Sequence, residues 1–171
     1  MVRADSHCDM LNRAYDEGKN FFDKDLMFNV LDAGKYLPFI ELCAVFVNSK
    51  YVTKEYDYGY ERAKNIIENF KKEFTRDIDE YNLFQIRKKE DINYCIKNKK
   101  IGILLTVENL SAIGTDISKL DYLYEEGIRI SSLTWEDTNL IASGNASIKD
   151  FGISDFGRRV LNKMNNLGMI L

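Results

Sequence analysis

The sequence lacks several features that would place it in common protein classes. It has one histidine, His7, in 171 residues, so a metal centre that needs two or more histidines cannot be complete within it. Its formal net charge is −3, and its lysine clusters are interleaved with acidic residues and asparagine, so we predict no nucleic-acid binding. No apolar run approaches the ~18 residues of a membrane span.

Cysteine is also scarce. The three cysteines are odd in number, and no two have the spacing of a metal-binding pair. Cys43 lies in an apolar run and Cys95 on one face of a predicted helix, which favours small core residues for both. The absence of a disulfide framework and of a signal peptide predicts a cytoplasmic protein.

Strand and helix patterns alternate along the chain. We predict strands at residues 1–5, 39–47, 101–107 and 128–133, and helices at residues 58–74, 90–98, 118–126 and 154–166. Met169-Ile170-Leu171 predicts the start of a fifth strand. Repeated β-then-α units indicate an α/β fold with a parallel sheet. No linker rich in proline, glycine or serine interrupts them, so we predict a single domain over residues 1–171.

Residue spacing predicts which helix faces are buried and where helices begin and end. The inward faces should hold Ala63, Ile66, Ile67, Phe70 and Phe74 in one helix, and Ile92, Cys95 and Ile96 in the next. Ser118 and Ser154 are placed to cap helix starts. Gly127 and Gly168 are placed to end helices.

Polar side chains follow the predicted strands at their carboxyl ends. His7 and Asp9 follow the first strand, and residues i and i+2 of a strand point to the same side, so the two can converge. Imidazole with carboxylate suits zinc or another divalent ion. Glu108 ends the apolar run 101–107, where a carboxylate is costly unless it is paired or metal-bound; a surface-loop glutamate is the alternative. Trp135 follows the fourth strand.

These segments resemble the membrane dipeptidase family of zinc metallopeptidases, especially its bacterial members. Asp5-Ser6-His7-Cys8-Asp9 is similar to the family's opening Asp-x-His-x-Asp. Leu104-Leu105-Thr106-Val107-Glu108-Asn109 is similar to its strand ending in Glu-Gly, with Asn109 in the glycine's place. The clearest similarity is Tyr122-Leu123-Tyr124-Glu125-Glu126-Gly127-Ile128-Arg129, followed by Ser132-Leu133-Thr134-Trp135 and Asn139. The segments follow family order over nearly the whole chain.

The resemblance implies a (β/α)₈ TIM barrel with two zinc ions, in which a metal-activated water hydrolyses dipeptides. His7 and Asp9 would bind one zinc, and Glu108 would bridge both. Trp135 stands where many members carry a substrate-binding histidine. The family's further histidine ligands and a later aspartate are not in this chain, so the resemblance implies the N-terminal half of a dipeptidase: the first four βα units and the start of strand five.

Two other functions compete with an active metallo-dipeptidase. The chain could be a non-catalytic, truncated half-barrel that associates with itself or with a partner half, and its open strand edges predict homo-oligomers. It could also be another metal-dependent hydrolase on the same barrel. The His-x-Asp opening disfavours that reading, because the common amidohydrolase opening is His-x-His. Whether the reading frame continues past Leu171 into an Asp-x-Ser-His segment separates the first two functions.

Overall fold

The computed structural model describes residues 1–20, 23–48 and 58–171. The strands in these ranges are β1 (Arg3–Cys8), β2 (Phe39–Phe46), β3 (Leu83–Gln85), β4 (Ile101–Glu108) and β5 (Ile128–Ser131). The helices are α1 (Met10–Glu17), α2 (Val30–Ala33), α3 (Tyr58–Asp77), α4 (Lys89–Asn98), α5 (Lys119–Glu125) and α6 (Asp155–Leu167), with 3₁₀ turns at Gly34–Tyr36 and Leu110–Ile113. Among the described helices, none combines the length and the apolar character that a membrane span requires.

The strands form a sheet in the order β1-β2-β4-β3, and β5 also pairs with β4. β1 runs parallel to β2, with Arg3 opposite Phe39. β3 runs parallel to the first half of β4, with Leu83 opposite Ile101. Parallel strands joined through helices confirm the predicted α/β fold.

The chain divides into two compact units, and the first comprises residues 1–45 and 66–106. Its buried cluster of Ile40, Ile86 and Cys95 lies between β2, α4 and the end of β3. A Cβ atom at Gly102 would lie 2.6 Å from Ile86 Cδ1 and 2.9 Å from Ile40 Cδ1. This close approach explains why β4 carries a glycine in an otherwise apolar run.

The second unit comprises residues 46–65 and 107–171, with α5 packed against β5 and α6. Ser154 caps α6 as predicted, because its side chain accepts a hydrogen bond from Gly157 N at 2.9 Å. After α6 the chain returns parallel to β5: Ile170 N donates to Arg129 O at 2.8 Å, and Ser131 N donates to Ile170 O at 3.0 Å. This pairing confirms the predicted start of a further strand.

The structure adds three strands and helices, β3, α1 and α2, to the predicted set and shifts the limits of others. β3 has only three residues, too few for an alternation signal. α1 follows β1 after a single residue, and its buried face of Met10, Leu11 and Ala14 was not recognised in the sequence. β1 extends to Cys8 rather than ending at residue 5. β5 ends at Ser131 rather than at residue 133.

Two details of the helix predictions are wrong. In α4 only Cys95 is buried, whereas Ile92 and Ile96 are more than one third exposed, because the helix contacts the core along a stripe narrower than its apolar face. Ser118 makes no side-chain cap to α5. Asp116 instead accepts hydrogen bonds from Ser118 N and Ser118 Oγ, at 2.9 and 2.6 Å, so an aspartate turn precedes this helix. The predicted inward residues of α3 are all buried.

Candidate metal centre

A β-bulge in β1 determines which way the first candidate ligand points. Asp5 lies opposite Glu41, but Cys8 lies opposite Cys43, so β1 uses three residues where β2 uses two. Asp5 and Cys8 therefore share the face of Glu41 and Cys43. His7, directly before Cys8, is turned to the other face. Bulges are frequent beside functional sites because they redirect side chains in this way.

His7 and Asp9 come together where β1 ends and α1 begins. His7 Nε2 lies 3.6 Å from Asp9 Oδ2, and the two side chains are 49% and 42% exposed. Two ligands of one tetrahedral zinc ion, each about 2.0–2.2 Å from the metal, are separated by roughly 3.3–3.6 Å. The pair therefore fits a divalent ion in chemistry and in spacing, and solvent can reach it. The two side chains converge as predicted. Asp9 is, however, the residue before α1 and not part of the strand, so the i, i+2 rule for strands does not by itself explain the convergence.

Asn12 positions Asp9, and sequence reasoning missed it. Its amide nitrogen lies 3.5 Å from Asp9 Oδ1 and 3.1 Å from Ala44 O, and the residue is buried. The carboxylate of Asp9 is thus flanked by Asn12 on one oxygen and by His7 on the other. A hydrogen-bond donor behind a ligating carboxylate orients it toward the ion. The spacing of Asp9 and Asn12, one helical turn apart, was the available signal.

Cys8 lies between His7 and Asp9 in the sequence, but we do not expect it to be a metal ligand. It is 5% exposed and faces Cys43. Burial raises the pKa of the Cys8 thiol to about 11. A neutral buried thiol is a poor ligand and a poor nucleophile, so we assign Cys8 to the core. The cysteines are all free and buried, as expected for Cys43 and Cys95.

Glu108 is the last residue of β4 and is half-buried. The chain turns sharply after it, because Asn109 adopts φ 72° and ψ 93°. The end of β4 is fixed to the segment after β5 by Ser132 N, which donates to Val107 O at 3.2 Å. Glu108 therefore ends a strand as predicted, and its role as a ligand stays a prediction.

Trp135 lies just beyond β5 and is 39% exposed. Its ring packs edge-on against Phe46, the last residue of β2, with centroids 5.1 Å apart. The two rings form an apolar wall with a single indole N–H donor. Substrate binding by Trp135 stays a prediction.

Glu41 is a buried acid that sequence reasoning did not single out. It is fully buried in β2, and among the described residues neither of its carboxylate oxygens has a hydrogen-bond partner. Burial, and secondly the charge of Asp5, raise the pKa of Glu41 to about 8. Glu41 lies on the face opposite to the one that His7 faces, so we do not include it in the metal centre.

The segment that contains these residues matches a known protein family. The membrane dipeptidase family (peptidase family M19) matches residues 3–171. A protein of Schizosaccharomyces pombe described as the uncharacterized dipeptidase C965.12 is 36% identical over 78 residues, which are 43% of this chain and 19% of that protein.

Solved structures agree in fold. The metallopeptidase dipeptidase AC of family M19 superposes with a TM-score of 0.81 at 17% identity, over 98% of this chain and 54% of that chain. A Rhodobacter sphaeroides metallopeptidase, liganded with a phosphinate mimic of the dipeptide L-Ala-D-Ala, superposes with a TM-score of 0.70 at 15% identity, over 98% of this chain and 57% of that chain. At sequence identities this low, the similarity shows a shared fold and nothing more specific. The chain spans about half the length of these solved relatives.

Proposed function

Because the chain belongs to the membrane dipeptidase family, peptidase family M19, we propose that it supplies the first part of a metal-dependent site that hydrolyses dipeptides. The observation that carries this proposal is the His7–Asp9 pair at the end of β1, with facing atoms 3.6 Å apart. The pair lies within the segment that matches the family. The pair lies at the carboxyl end of a strand, which is where parallel α/β barrels carry their active sites.

We further propose zinc as the metal, with His7, Asp9 and Glu108 as its ligands from this chain. Together they offer an imidazole nitrogen and two carboxylate oxygens, a set that could hold a metal ion. When bound, such a metal polarises a carbonyl and lowers the pKa of a bound water. Asn12 would keep the Asp9 carboxylate in its binding orientation.

The substrate proposal rests on the aromatic pair and on a relative. The Rhodobacter sphaeroides structure holds a dipeptide mimic. In the present chain Trp135 and Phe46 would offer an apolar wall to a dipeptide side chain, and the indole N–H one hydrogen bond. We therefore propose dipeptides with at least one apolar residue as the substrate class.

We also propose that this chain is the N-terminal half of an enzyme and is inactive by itself. The support for this proposal is the chain's coverage of 42–57% of the solved relatives, together with its single histidine. The competing proposal is a non-catalytic half-barrel that pairs with a second copy or a partner half. The exposed residues Arg3 to His7 of β1 favour this alternative, because an exposed strand can pair with another chain.

The decisive experiment is a hydrolysis assay with zinc and a panel of L-Ala-X dipeptides. We expect no turnover by the 171-residue chain above that of a His7→Ala control. The protein expressed from the full reading frame that contains these residues should hydrolyse dipeptides, and Glu108→Gln should abolish that activity.

Two results would count against the proposal. If the full-frame protein with zinc leaves every dipeptide intact, the dipeptidase proposal fails. If the 171-residue chain alone turns over a dipeptide and His7→Ala does not, the chain is a complete catalyst and the half-enzyme proposal fails.

A further inference from the structure

We propose that Asn109 is a positioning residue that fixes the direction in which Glu108 leaves β4. The inference rests on the proposed function, because it concerns a proposed metal ligand. Asn109 follows Glu108 directly and is fully buried. Its φ of 72° lies in the left-handed region, which glycine occupies freely and other residues rarely adopt.

Asn109 forms hydrogen bonds with three residues that are distant in sequence, Val47 and Asn139 through its side chain and Ser132 through its main chain. Its amide nitrogen donates to Val47 O, just beyond β2, at 3.1 Å. Its carbonyl oxygen accepts from Ser111 N at 3.1 Å and from the amide of Asn139 at 3.0 Å. Its main-chain N–H donates to Ser132 Oγ at 2.9 Å. A single residue therefore anchors the end of β4 to the ends of two other strands.

Asn139 extends this network into the loop after β5. Its amide nitrogen also donates to Leu133 O at 2.7 Å. Its oxygen accepts from Ile141 N at 2.8 Å and from Ala142 N at 3.1 Å. The two asparagines thus tie the peptide that follows Glu108 to the segment that carries Trp135.

A glycine at position 109 would adopt this backbone conformation with less strain, but it could make none of the side-chain bonds. The hydrogen bonds of its side-chain amide, and not the turn alone, therefore explain why an asparagine stands at this position. Since ligand preorganisation sets metal affinity, losing these bonds should let Glu108 rotate away from a shared ion and should weaken binding.

The chain contains a matched control. Asn82 also has a positive φ, 56°, and its side chain bonds to Lys99 O at 2.9 Å and to Lys100 Nζ at 3.0 Å. These contacts lie just before the first residue of β4, whereas Asn109 follows its last residue. Asn82→Gly removes the same chemical group from the same kind of turn, at the other end of the strand.

The test measures Co²⁺ binding to the 171-residue chain by visible absorption, together with thermal unfolding of each metal-free variant. We expect Asn109→Gly to weaken Co²⁺ binding about 10–100-fold and to alter the absorption bands. Asn82→Gly should bind Co²⁺ as the wild type does, even if its unfolding temperature falls equally. Glu108→Gln should also lose affinity.

The outcomes separate the two proposals. If Glu108→Gln loses affinity and Asn109→Gly binds Co²⁺ with wild-type affinity and spectrum, the role of Asn109 is overturned and the metal site stands. The positioning role also fails if Asn82→Gly weakens binding as much as Asn109→Gly does. If the wild-type chain binds no Co²⁺, or if Glu108→Gln leaves binding unchanged, the proposed metal site and the positioning role fall together.

Discussion

At the scale of single residues, Glu41 should make the stability of the fold depend on pH. Its ordinary pKa of 4.5 is raised to about 8 in the folded chain by burial and by Asp5. The unfolded chain therefore releases this proton first as the pH rises. Stability should fall between about pH 4.5 and 8, by on the order of a few kcal/mol.

Glu41→Gln should remove this pH dependence, because glutamine keeps the shape of the side chain and cannot ionise. We expect the variant and the wild type to unfold at similar temperatures near pH 4.5, and the variant to be the more stable one at pH 8. The exposed Glu136→Gln serves as the control. Parallel unfolding curves for wild type and Glu41→Gln across this range would show that Glu41 is not the group responsible.

Individual site residues differed in how far the sequence predicted them. The closeness of His7 and Asp9 could be predicted, because the two residues are near in sequence and their placement depends mainly on local geometry at the end of β1. Asn12, Glu41 and Asn109 depend on contacts with distant segments, such as Ala44 O and Val47 O, which no local pattern records. The bulge that turns His7 likewise becomes visible only when β1 is paired with β2.

At the scale of secondary-structure elements, the start of α6 depends on one glycine. A Cβ atom at Gly157 would lie 2.2 Å from Ile141 O, a main-chain atom that cannot rotate away. The same oxygen accepts hydrogen bonds from Ser154 N at 3.0 Å and from Ser154 Oγ at 3.1 Å. Gly157→Ala should therefore displace the helix start and destabilise the fold by about 1–3 kcal/mol.

Gly34→Ala provides the matched comparison in urea unfolding. Gly34 has a helical φ of −57°, and an added Cβ would meet no atom of the described residues within 4 Å. Its replacement should be neutral, or stabilising by up to about 1 kcal/mol. Equal unfolding midpoints for the two variants would contradict the close approach of α6 to Ile141.

Elements with a long, regular pattern were predicted well, and short ones were not. The 3–4 spacing over five apolar residues identified α3, and the continuous apolar run identified β4. The three-residue β3 carries too little pattern to be recognised. In α4 the pattern indicated a broad apolar face. In the structure only Cys95 on that face is buried, and Ile92 and Ile96 are exposed.

At the scale of the whole molecule, β1 exposes an edge. Among the described strands β1 pairs with β2 alone, and its residues from Arg3 to His7 are exposed. An unpaired strand edge is a template for association with another chain. We expect the 171-residue chain to form oligomers at micromolar concentration. Ala4→Lys, which places a charge on this edge, should shift it toward the monomer.

Light scattering checks this expectation, with Ala146→Lys as the control at another exposed alanine. Ala146→Lys should associate like the wild type. A wild-type chain that scatters as a monomer across the micromolar range would contradict association through β1.

Calorimetric titration with zinc decides whether this dipeptidase-family chain carries the ligands of a metal site. We expect the wild-type chain to bind zinc, and His7→Ala and Glu108→Gln each to lose that binding while remaining folded. The exposed Asp155→Asn should bind as the wild type does. Absence of zinc binding in the wild-type chain, or binding that His7→Ala and Glu108→Gln leave unchanged, would contradict the account.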